Sequence, residues 1–248
     1  MAGEQAPLVE DTPQGVERVL VVVAHPDDVD FGAAGSVAAW VKAGVEVVYC
    51  VATDGDAGGS DRSVDRPTMA RVRRDEQRAA AAEVGVTDVV FLGHPDGRLV
   101  PSIELRRDIS RQIRRVRPQR VVTQSPERLW DRLPASHPDH LAAGEATVAA
   151  VYPDARNPFA HPSLLEEEGL EPWSVPQLWL MSSPHSTRVV DVTETFALKM
   201  AALRCHESQL GGAVGLEERI RGWLSAGARA AGLPEGALAE SFQQVLVP

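Results

Sequence analysis

Several features that define large protein classes are scarce or missing in this chain. Its 248 residues include two cysteines, Cys50 and Cys205, too few for a disulfide framework. No apolar run approaches the roughly 20 residues that span a bilayer. The first residues, 1–16, have neither the basic stretch nor the apolar core of a signal peptide. We therefore expect no membrane span and a cytoplasmic location.

Positive charge is also in short supply, since the formal net charge is -10. This balance argues against non-specific binding to nucleic acid or to an anionic membrane. No G-x-G-x-x-G motif opens the first helix, which disfavours a dinucleotide site, and no G-x-S-x-G elbow indicates a serine hydrolase. Hydrophobic content of 44% and charged content of 24% are ordinary for a globular protein with a normal core.

Strand and helix signals alternate along the first half of the chain. Strands are predicted at 18–23, 45–51, 88–92, 120–123 and 177–181, and helices at 35–42, 68–84, 102–116, 137–151, 193–207 (with a possible cap at Thr193) and 215–230. This alternation predicts an α/β, Rossmann-like fold with a mostly parallel sheet and helices on both faces. We expect a flexible N-terminal segment, 1–15, and a single domain, 16–248, with a C-terminal extension and a long loop at 152–176.

The first group of residues with chemical potential follows the first long strand. The apolar run 19–23 leads directly into His25-Pro26-Asp27-Asp28. Proline ends the strand ladder, and residues three apart in a turn converge, so His25 and Asp28 can reach one metal ion. Asp27 is then left free for proton transfer. The alternative is a solvated turn whose aspartates cap a helix.

A second group, His137-Pro138-Asp139-His140, opens a predicted helix. His137 and His140 share one helix face. Ser136 and Asp139 have the spacing of a capping box, which accounts for Asp139 without a function but leaves the two histidines unexplained. Two histidines and a carboxylate with an open position are typical of hydrolytic zinc sites. Ligands of an open α/β sheet bind beyond the carboxyl ends of its strands, so we expect both groups to meet at one rim.

Five motifs in the same order resemble those of the LmbE-like, or PIG-L, zinc-dependent N-acetylglucosamine deacetylases. They are Ala-His-Pro-Asp-Asp at 24–28, Thr-Asp-Gly-x-x-Gly at 53–58, Arg73 with Glu76, Pro-Asp-Gly-Arg-Leu at 95–99, and His-Pro-Asp-His at 137–140. The C-terminal segments at 191–193 and 206–209 are also similar. The resemblance covers most of the chain and implies the LmbE-like fold.

The resemblance also implies a role for each residue of the motifs. His25, Asp28 and His140 would hold Zn²⁺, although such ligands also accept other divalent metals. Asp27 would be the general base, and His137 the acid that stabilises the oxyanion and protonates the leaving amine. Asp139 would orient His137, while Arg73 and Asp96 would contact the substrate. The implied substrate is a small N-acetylated amino sugar or glycoside.

Two departures from the family pattern concern the surroundings of the site. Val29 stands where the family usually has Glu, and we expect Asp30 to substitute for it. The aromatic hydroxyl that some relatives place before His-Pro-Asp-His is absent. Either His137 lacks a helper, or Trp130 and Asp131 line the pocket instead.

The sequence leaves several alternatives open. An amidase that cleaves a thiol-sugar conjugate would use the same residues, and a metal- or sugar-binding relative without catalysis is a third possibility. Gly55, Gly58 and Gly59 could cradle a phosphate. Among the other histidines, His94 is a weak candidate ligand, and His161 and His185 are expected in surface loops, although His185 could reach the site. His206 is expected to pack behind the site. The sequence does not decide whether the chain forms a homo-oligomer.

Overall fold

The computed structural model describes residues 6–10, 13–59 and 61–248. Its strands are β1 (Leu8–Glu10), β2 (Arg18–Val23), β3 (Glu46–Thr53), β4 (Asp88–His94), β5 (Arg120–Gln124), β6 (Gln177–Met181), β7 (Arg188–Asp191) and β8 (Ala239–Leu246). Its helices are α1 (Asp28–Gly32), α2 (Ala34–Lys42), α3 (Arg66–Glu83), α4 (Ile103–Val116), α5 (Pro138–Ala149), α6 (Pro162–Glu166), α7 (Phe196–Arg204), α8 (Glu207–Leu210) and α9 (Leu216–Ala230).

The strands of this part of the chain form one sheet in the order β1-β7-β8-β6-β5-β2-β3-β4. All run in the same direction except β8, which is antiparallel to both of its neighbours. The predicted mostly parallel sheet is therefore confirmed. The predicted strands and long helices all form, with boundaries that differ by a few residues.

Alternating side chains of β2 show why helices cover both faces. Val19, Val21 and Val23 face the layer that contains α2, α3, α7 and α9. Leu20 and Val22 face the opposite layer, which contains α4 and α5. Because both faces bury apolar surface, the strand is apolar at every position after Arg18, as expected of a parallel strand inside an α/β sheet.

The C-terminal third belongs to the same domain and is not an appended extension. Its strands β6, β7 and β8 continue the sheet beyond β5. The sequence signal for β8 is weak because its Glu240 is polar yet 3% exposed. The Glu240 carboxylate accepts hydrogen bonds from Gly35 N at 3.1 Å and Ser36 N at 2.7 Å, which satisfies the first turn of α2.

Three smaller features differ from the prediction. Thr193 does not cap a helix: its hydroxyl donates to Asp191 and accepts from Leu238 N, and α7 begins only after Thr195. The loop at 152–176 contains the short helix α6. Within the N-terminal segment, β1 pairs with β7 as an edge strand, while residues 1–5 and 11–12 lie outside the described part.

A buried ion pair ties the C-terminal elements to the first helices. The Lys199 ammonium group donates to Glu240 Oε1 at 2.6 Å, and also to the carbonyl oxygens of Asp30 and Phe31 at 2.8 Å each. The Lys199 side chain is 0% exposed and that of Glu240 is 1% exposed. All three ammonium hydrogens therefore have partners, as a buried charge requires.

We expect Lys199→Met to lower the free energy of unfolding by about 3–5 kcal/mol, because it leaves the Glu240 carboxylate buried without its counter-charge. The measurement is urea denaturation followed by circular dichroism. Lys42→Met is the matched control, since Lys42 pairs with Glu194 at the surface and such pairs contribute about 0–1 kcal/mol. Equal effects of the two substitutions would contradict the prediction.

Candidate metal centre and active site

The motif residues meet at the carboxyl ends of four neighbouring strands, β5, β2, β3 and β4. Residues 24–28 follow β2, the glycine-rich loop at 54–59 follows β3, and Asp96 follows β4. The segment after β5 leads to α5, which begins at the His-Pro-Asp-His motif. Gly144 lets α5 pack against the end of β5, because a Cβ there would overlap the Gln124 carbonyl oxygen. The predicted convergence at one rim is present.

Four side chains come together at this rim in a way that fits a metal ion. One nitrogen from each of His25, His137 and His140 lies within 4.8 Å of the others. The Asp28 carboxylate contacts His25 Nδ1 at 3.4 Å and His140 Nε2 at 3.0 Å. Imidazole nitrogens with a carboxylate oxygen form the donor set of catalytic zinc sites. The residues present could therefore hold a divalent metal.

Charge at these residues is arranged to keep Asp28 ionised. Burial would raise the pKa of Asp28, but His140 and His25 hold it well below its usual range. Burial lowers the pKa of His25, yet contacts with Asp139, Asp28 and Asp96 outweigh burial and raise it to about 12. Three carboxylates therefore surround His25, an excess of negative charge that a divalent cation would offset.

The outer contacts of the histidines decide which nitrogens face the centre. His140 Nδ1 lies 3.1 Å from the Ala135 carbonyl oxygen, so it carries the hydrogen and Nε2 is left toward Asp28. His25 Nε2 contacts Asp139 at 3.1 Å and Asp96 at 3.2 Å, which leaves Nδ1 toward Asp28. Outer partners of this kind fix the orientation of metal-binding imidazoles.

Asp139 has a different partner from the one that the resemblance implies. Its carboxylate accepts from Gly97 N at 2.7 Å and Leu99 N at 3.2 Å and contacts His25 Nε2. The backbone N–H of Asp139, not its carboxylate, meets His137, donating to Nδ1 at 3.2 Å. Asp139 therefore orients His25, because α5 turns its carboxylate toward the loop after β4.

The capping box predicted for Ser136 and Asp139 is also wrong. His137 occupies the N-cap position of α5 and its side chain accepts the capping hydrogen bond. The Ser136 hydroxyl instead accepts from Leu129 N at 2.7 Å. Because its Nδ1 is an acceptor, a neutral His137 carries its hydrogen on Nε2. Burial and the neighbouring His25 and His140 lower the pKa of His137, which favours this neutral form.

Asp27 adopts an uncommon backbone conformation beside the candidate metal ligands. Its φ is 89°, in the left-handed region that non-glycine residues seldom occupy. Gln77 Oε1 accepts from Asp27 N at 2.8 Å, and Arg73 Nη2 donates to the Asp27 carboxylate at 3.1 Å and to the Pro26 carbonyl at 2.6 Å. Burial and the adjacent Asp28 raise the pKa of Asp27 to about 7 although Arg73 opposes them.

Arg73 and Asp96, predicted to contact substrate, line the cavity, but their side chains bond to other groups of the protein. Arg73 is 4% exposed and also donates to the Gly55 carbonyl at 3.0 Å. Side chains at Gly55 or Gly58 would collide with its guanidinium group, so these glycines make room for Arg73. Asp96 accepts from Ala57 N at 2.8 Å in addition to contacting His25. Both residues position other members of the site.

Asp30 stands behind Asp27, as the departure at Val29 suggested. Val29 packs in the core, whereas the Asp30 carboxylate accepts from Gln77 Nε2 at 2.9 Å and contacts His206 Nε2 at 2.7 Å. Gln77 thus connects Asp30 to the backbone of Asp27. Sequence reasoning missed Gln77, because a glutamine within a polar helix has no signal that distinguishes it from a solvated one.

The site opens into a cavity of about 530 Å³, within the usual range of small-molecule sites of ~300–1,000 Å³. Its lining also includes Phe31 and Met181, and the exposed residues Arg132, Pro134 and Trp223 line its outer part. The cavity lining does not include Trp130 or Asp131, since Trp130 is 77% exposed on the surface. Trp223 and Arg132 take that place. Trp223 lies on α9, too distant in sequence from every motif for sequence reasoning to find it.

The remaining histidines have other partners. His94 contacts Asp108 at 3.1 Å and His161 contacts Asp154 at 3.2 Å. His185 is exposed and lies 3.4 Å from Glu127. Among the described residues, the two groups that could hold a metal both contain His25. In the same part of the chain, no helix combines the length and apolarity that crossing a bilayer requires.

Comparisons with known proteins agree with this geometry. The model of the PIG-L family, described as GlcNAc-PI de-N-acetylase, matches residues 20–151, which contain all the residues that could hold the metal. The chain belongs to the PIG-L family.

The relatives include two deacetylases with related names. The diacetylchitobiose deacetylase of Thermococcus kodakarensis is 32% identical over 195 residues, which cover 78% of this chain and 70% of the relative. The solved N,N'-diacetylchitobiose deacetylase of Pyrococcus horikoshii is 28% identical with a TM-score of 0.86, covering 94% of this chain and 85% of that one. A probable N-acetyl-α-D-glucosaminyl L-malate deacetylase 2 of Bacillus subtilis is 32% identical over 216 residues, 83% of this chain and 89% of the relative.

Proposed function

We propose that this protein is a zinc-dependent hydrolase that removes the N-acetyl group from a small substrate containing an amino sugar. The observation that carries the proposal is the set His25, Asp28 and His140 with Asp27 and His137 at one end of a single cavity. The names of the relatives support the substrate class, because each acts on an N-acetylated glucosamine unit by its name.

Asp27 is the proposed general base. Its carboxylate borders the cavity beside Asp28, and a pKa of about 7 suits a group that must take a proton near neutral pH. Arg73 and Gln77 hold the residue from both sides, so its carboxylate has a defined direction. When bound, a zinc ion would polarise the acetamide carbonyl and acidify the attacking water.

His137 is the proposed donor on the opposite side of the reaction. Its Nε2 carries the hydrogen in the neutral form, because Nδ1 accepts from Asp139 N. That N–H can stabilise the negative charge that develops on the carbonyl oxygen. The proton that Asp27 removes from water has to reach the leaving nitrogen, and we assign its delivery to Asp27 itself. The resemblance assigns this step to His137, but a neutral His137 that gave up its Nε2 hydrogen would become an imidazolate, so His137 keeps the role of hydrogen-bond donor. Cleavage of the C–N bond releases acetate and the free amine.

The site favours a catalytic protein over a binding module. A module that only held metal or sugar would not need a base and a donor to the oxyanion, and both Asp27 and His137 are present with supported geometries. An amidase for thiol-sugar conjugates would use the same residues on a bulkier amide. The two reactions differ in substrate size, so substrate tests separate them.

The decisive assay measures acetate and free amine released from four N-acetylated compounds: N-acetylglucosamine, N,N'-diacetylchitobiose, N-acetylglucosaminyl malate and N-acetylglucosaminyl inositol. We expect release from at least one of them, its loss after treatment with a chelator, and its return when zinc is added. A thiol-sugar conjugate in the same assay tests the amidase alternative. Equal release before and after chelation, with metal removal verified by elemental analysis, would refute metal dependence.

A further inference from the structure

Two residues from distant parts of the chain form the outer end of the cavity. Arg132 belongs to the 3₁₀ segment Trp130–Ser136 that precedes α5, and Trp223 lies on α9. The guanidinium carbon of Arg132 is 4.5 Å from the centre of the Trp223 ring. Both residues line the cavity that contains the candidate metal site. None of the roles proposed above requires either of them.

Arg132 is an exposed residue. Its backbone N–H donates to the Leu129 carbonyl oxygen at 3.3 Å, whereas its guanidinium N–H groups have no acceptor among the described residues, in neither a hydrogen bond nor a salt bridge. Other arginines around the site have acceptors for their guanidinium groups: Arg73 holds Asp27 and Pro26, and Arg74 pairs with Asp54. The pKa values agree, because burial lowers the pKa of Arg132 with no acidic neighbour opposing it, whereas the bond to Asp54 raises that of Arg74.

Stacking on an indole ring leaves a guanidinium group able to bind an anion. The ring contacts the flat face of the cation, while the N–H donors point outward in the guanidinium plane. That fork matches the two oxygens of a carboxylate or phosphate. Trp223 would therefore hold Arg132 in place without consuming any of its donors.

Charge is unevenly distributed along the cavity. The carboxylates at its inner end belong to the half-buried Asp27 and Asp28 and the buried Asp96, whereas the guanidinium group of the exposed Arg132, unpaired among the described residues, lies toward solvent at its outer end. A substrate whose amide enters the inner end presents its remaining part to Arg132. A negative group on that part would meet a cation that has no competing partner in the described protein.

We propose that Arg132 and Trp223 form an outer subsite that binds an anionic oxygen group, a carboxylate or a phosphate, on the part of the substrate attached to the amino sugar. This inference rests on the proposed function. It makes Arg132 a specificity-determining residue that selects among N-acetylated amino sugars by the charge of the attached group, with Trp223 positioning it.

The test compares kcat/KM within two pairs of compounds, each with a charged and a neutral member. N-acetylglucosaminyl malate is paired with its dimethyl ester, and N-acetylglucosamine 1-phosphate with methyl N-acetylglucosaminide. We expect the wild-type protein to prefer the charged member of at least one pair by about tenfold to a hundredfold, as bonds to a charged group allow. The pair that shows the preference identifies carboxylate or phosphate as the anion.

Variants then assign the preference to this subsite. Arg132→Met is expected to reduce the charged-to-neutral ratio to about that of the compounds' intrinsic reactivity, near one, and Trp223→Leu to reduce it in part. Arg132→Lys should retain some preference, because it keeps the charge but loses the fork. Arg219→Met is the matched control, since Arg219 also lies near the Trp223 ring, at 5.9 Å, but does not line the cavity.

The outcomes separate the two proposals. Absence of turnover with every compound would overturn the proposed function. Turnover without a charge preference in the wild-type protein, or a preference that persists in Arg132→Met, would overturn the subsite alone. The ratio is measured within each variant, so partial loss of folded protein cancels from it, and a thermal unfolding curve verifies that each variant is folded.

Discussion

Asp27→Asn is expected to reduce kcat for deacetylation by about 10²–10⁴-fold, the contribution of a positioned general base, while the protein still binds one metal ion. Asparagine has the same shape and tolerates the left-handed backbone, so the φ of 89° at this position can persist. It cannot accept a proton from water. The measurements are steady-state kinetics and metal content by elemental analysis.

Asp75→Asn is the control for this substitution. Asp75 lies in α3 between two residues of the site, Arg73 and Gln77. Its own side chain is 69% exposed and pairs with Arg78. We expect normal kcat in that variant. An Asp27→Asn protein that kept more than a tenth of the wild-type kcat would exclude Asp27 as the base, whatever its metal content.

His140→Ala is expected to abolish both metal binding and turnover. The substitution removes the imidazole that contacts Asp28 at 3.0 Å and leaves one proposed histidine ligand, His25. Loss of an outer-shell partner alone costs about 10–100-fold in metal affinity, and we expect loss of a ligand to cost more. Titration of the metal-free protein with zinc against a competing chelator measures the change.

His94→Ala provides the comparison, because His94 is a partly buried histidine with a carboxylate partner, Asp108, outside the site. Its zinc affinity should match that of the wild-type protein. If His140→Ala bound zinc with wild-type affinity and one-to-one stoichiometry, the ion would have to lie elsewhere, and the assignment of Asp28 as a ligand would lose its main support.

The parts of the fold that follow from the sequence are those whose signals are local. β2 is apolar from residue 19 to residue 23 because both of its faces are buried, and the proline and aspartates at 26–28 indicate the turn that follows. β8 gives no such signal, since its buried Glu240 is acceptable only in the presence of Lys199 from another element. A partner supplied by the tertiary structure cannot be inferred from a single segment.

The same distinction applies to the site. Residues His25, Asp27 and Asp28 lie in one turn, and their proximity follows from spacing alone. The partner of Asp139 does not follow from spacing. Its carboxylate accepts a hydrogen bond from Gly97 N, in a loop 42 positions earlier in the chain. Arg132 and Trp223 meet only through the packing of α9, so their contact was invisible before the fold was known.

The left-handed backbone of Asp27 makes the stability of the protein and its proposed catalytic activity compete at this position. Such a conformation costs of the order of 1–3 kcal/mol for a residue with a side chain, and glycine would adopt it freely. Selection for heat resistance alone would therefore favour glycine at position 27 and would discard the proposed base. Directed evolution of this chain therefore has to measure product formation in every round. Otherwise its most thermostable variants will lack catalytic activity.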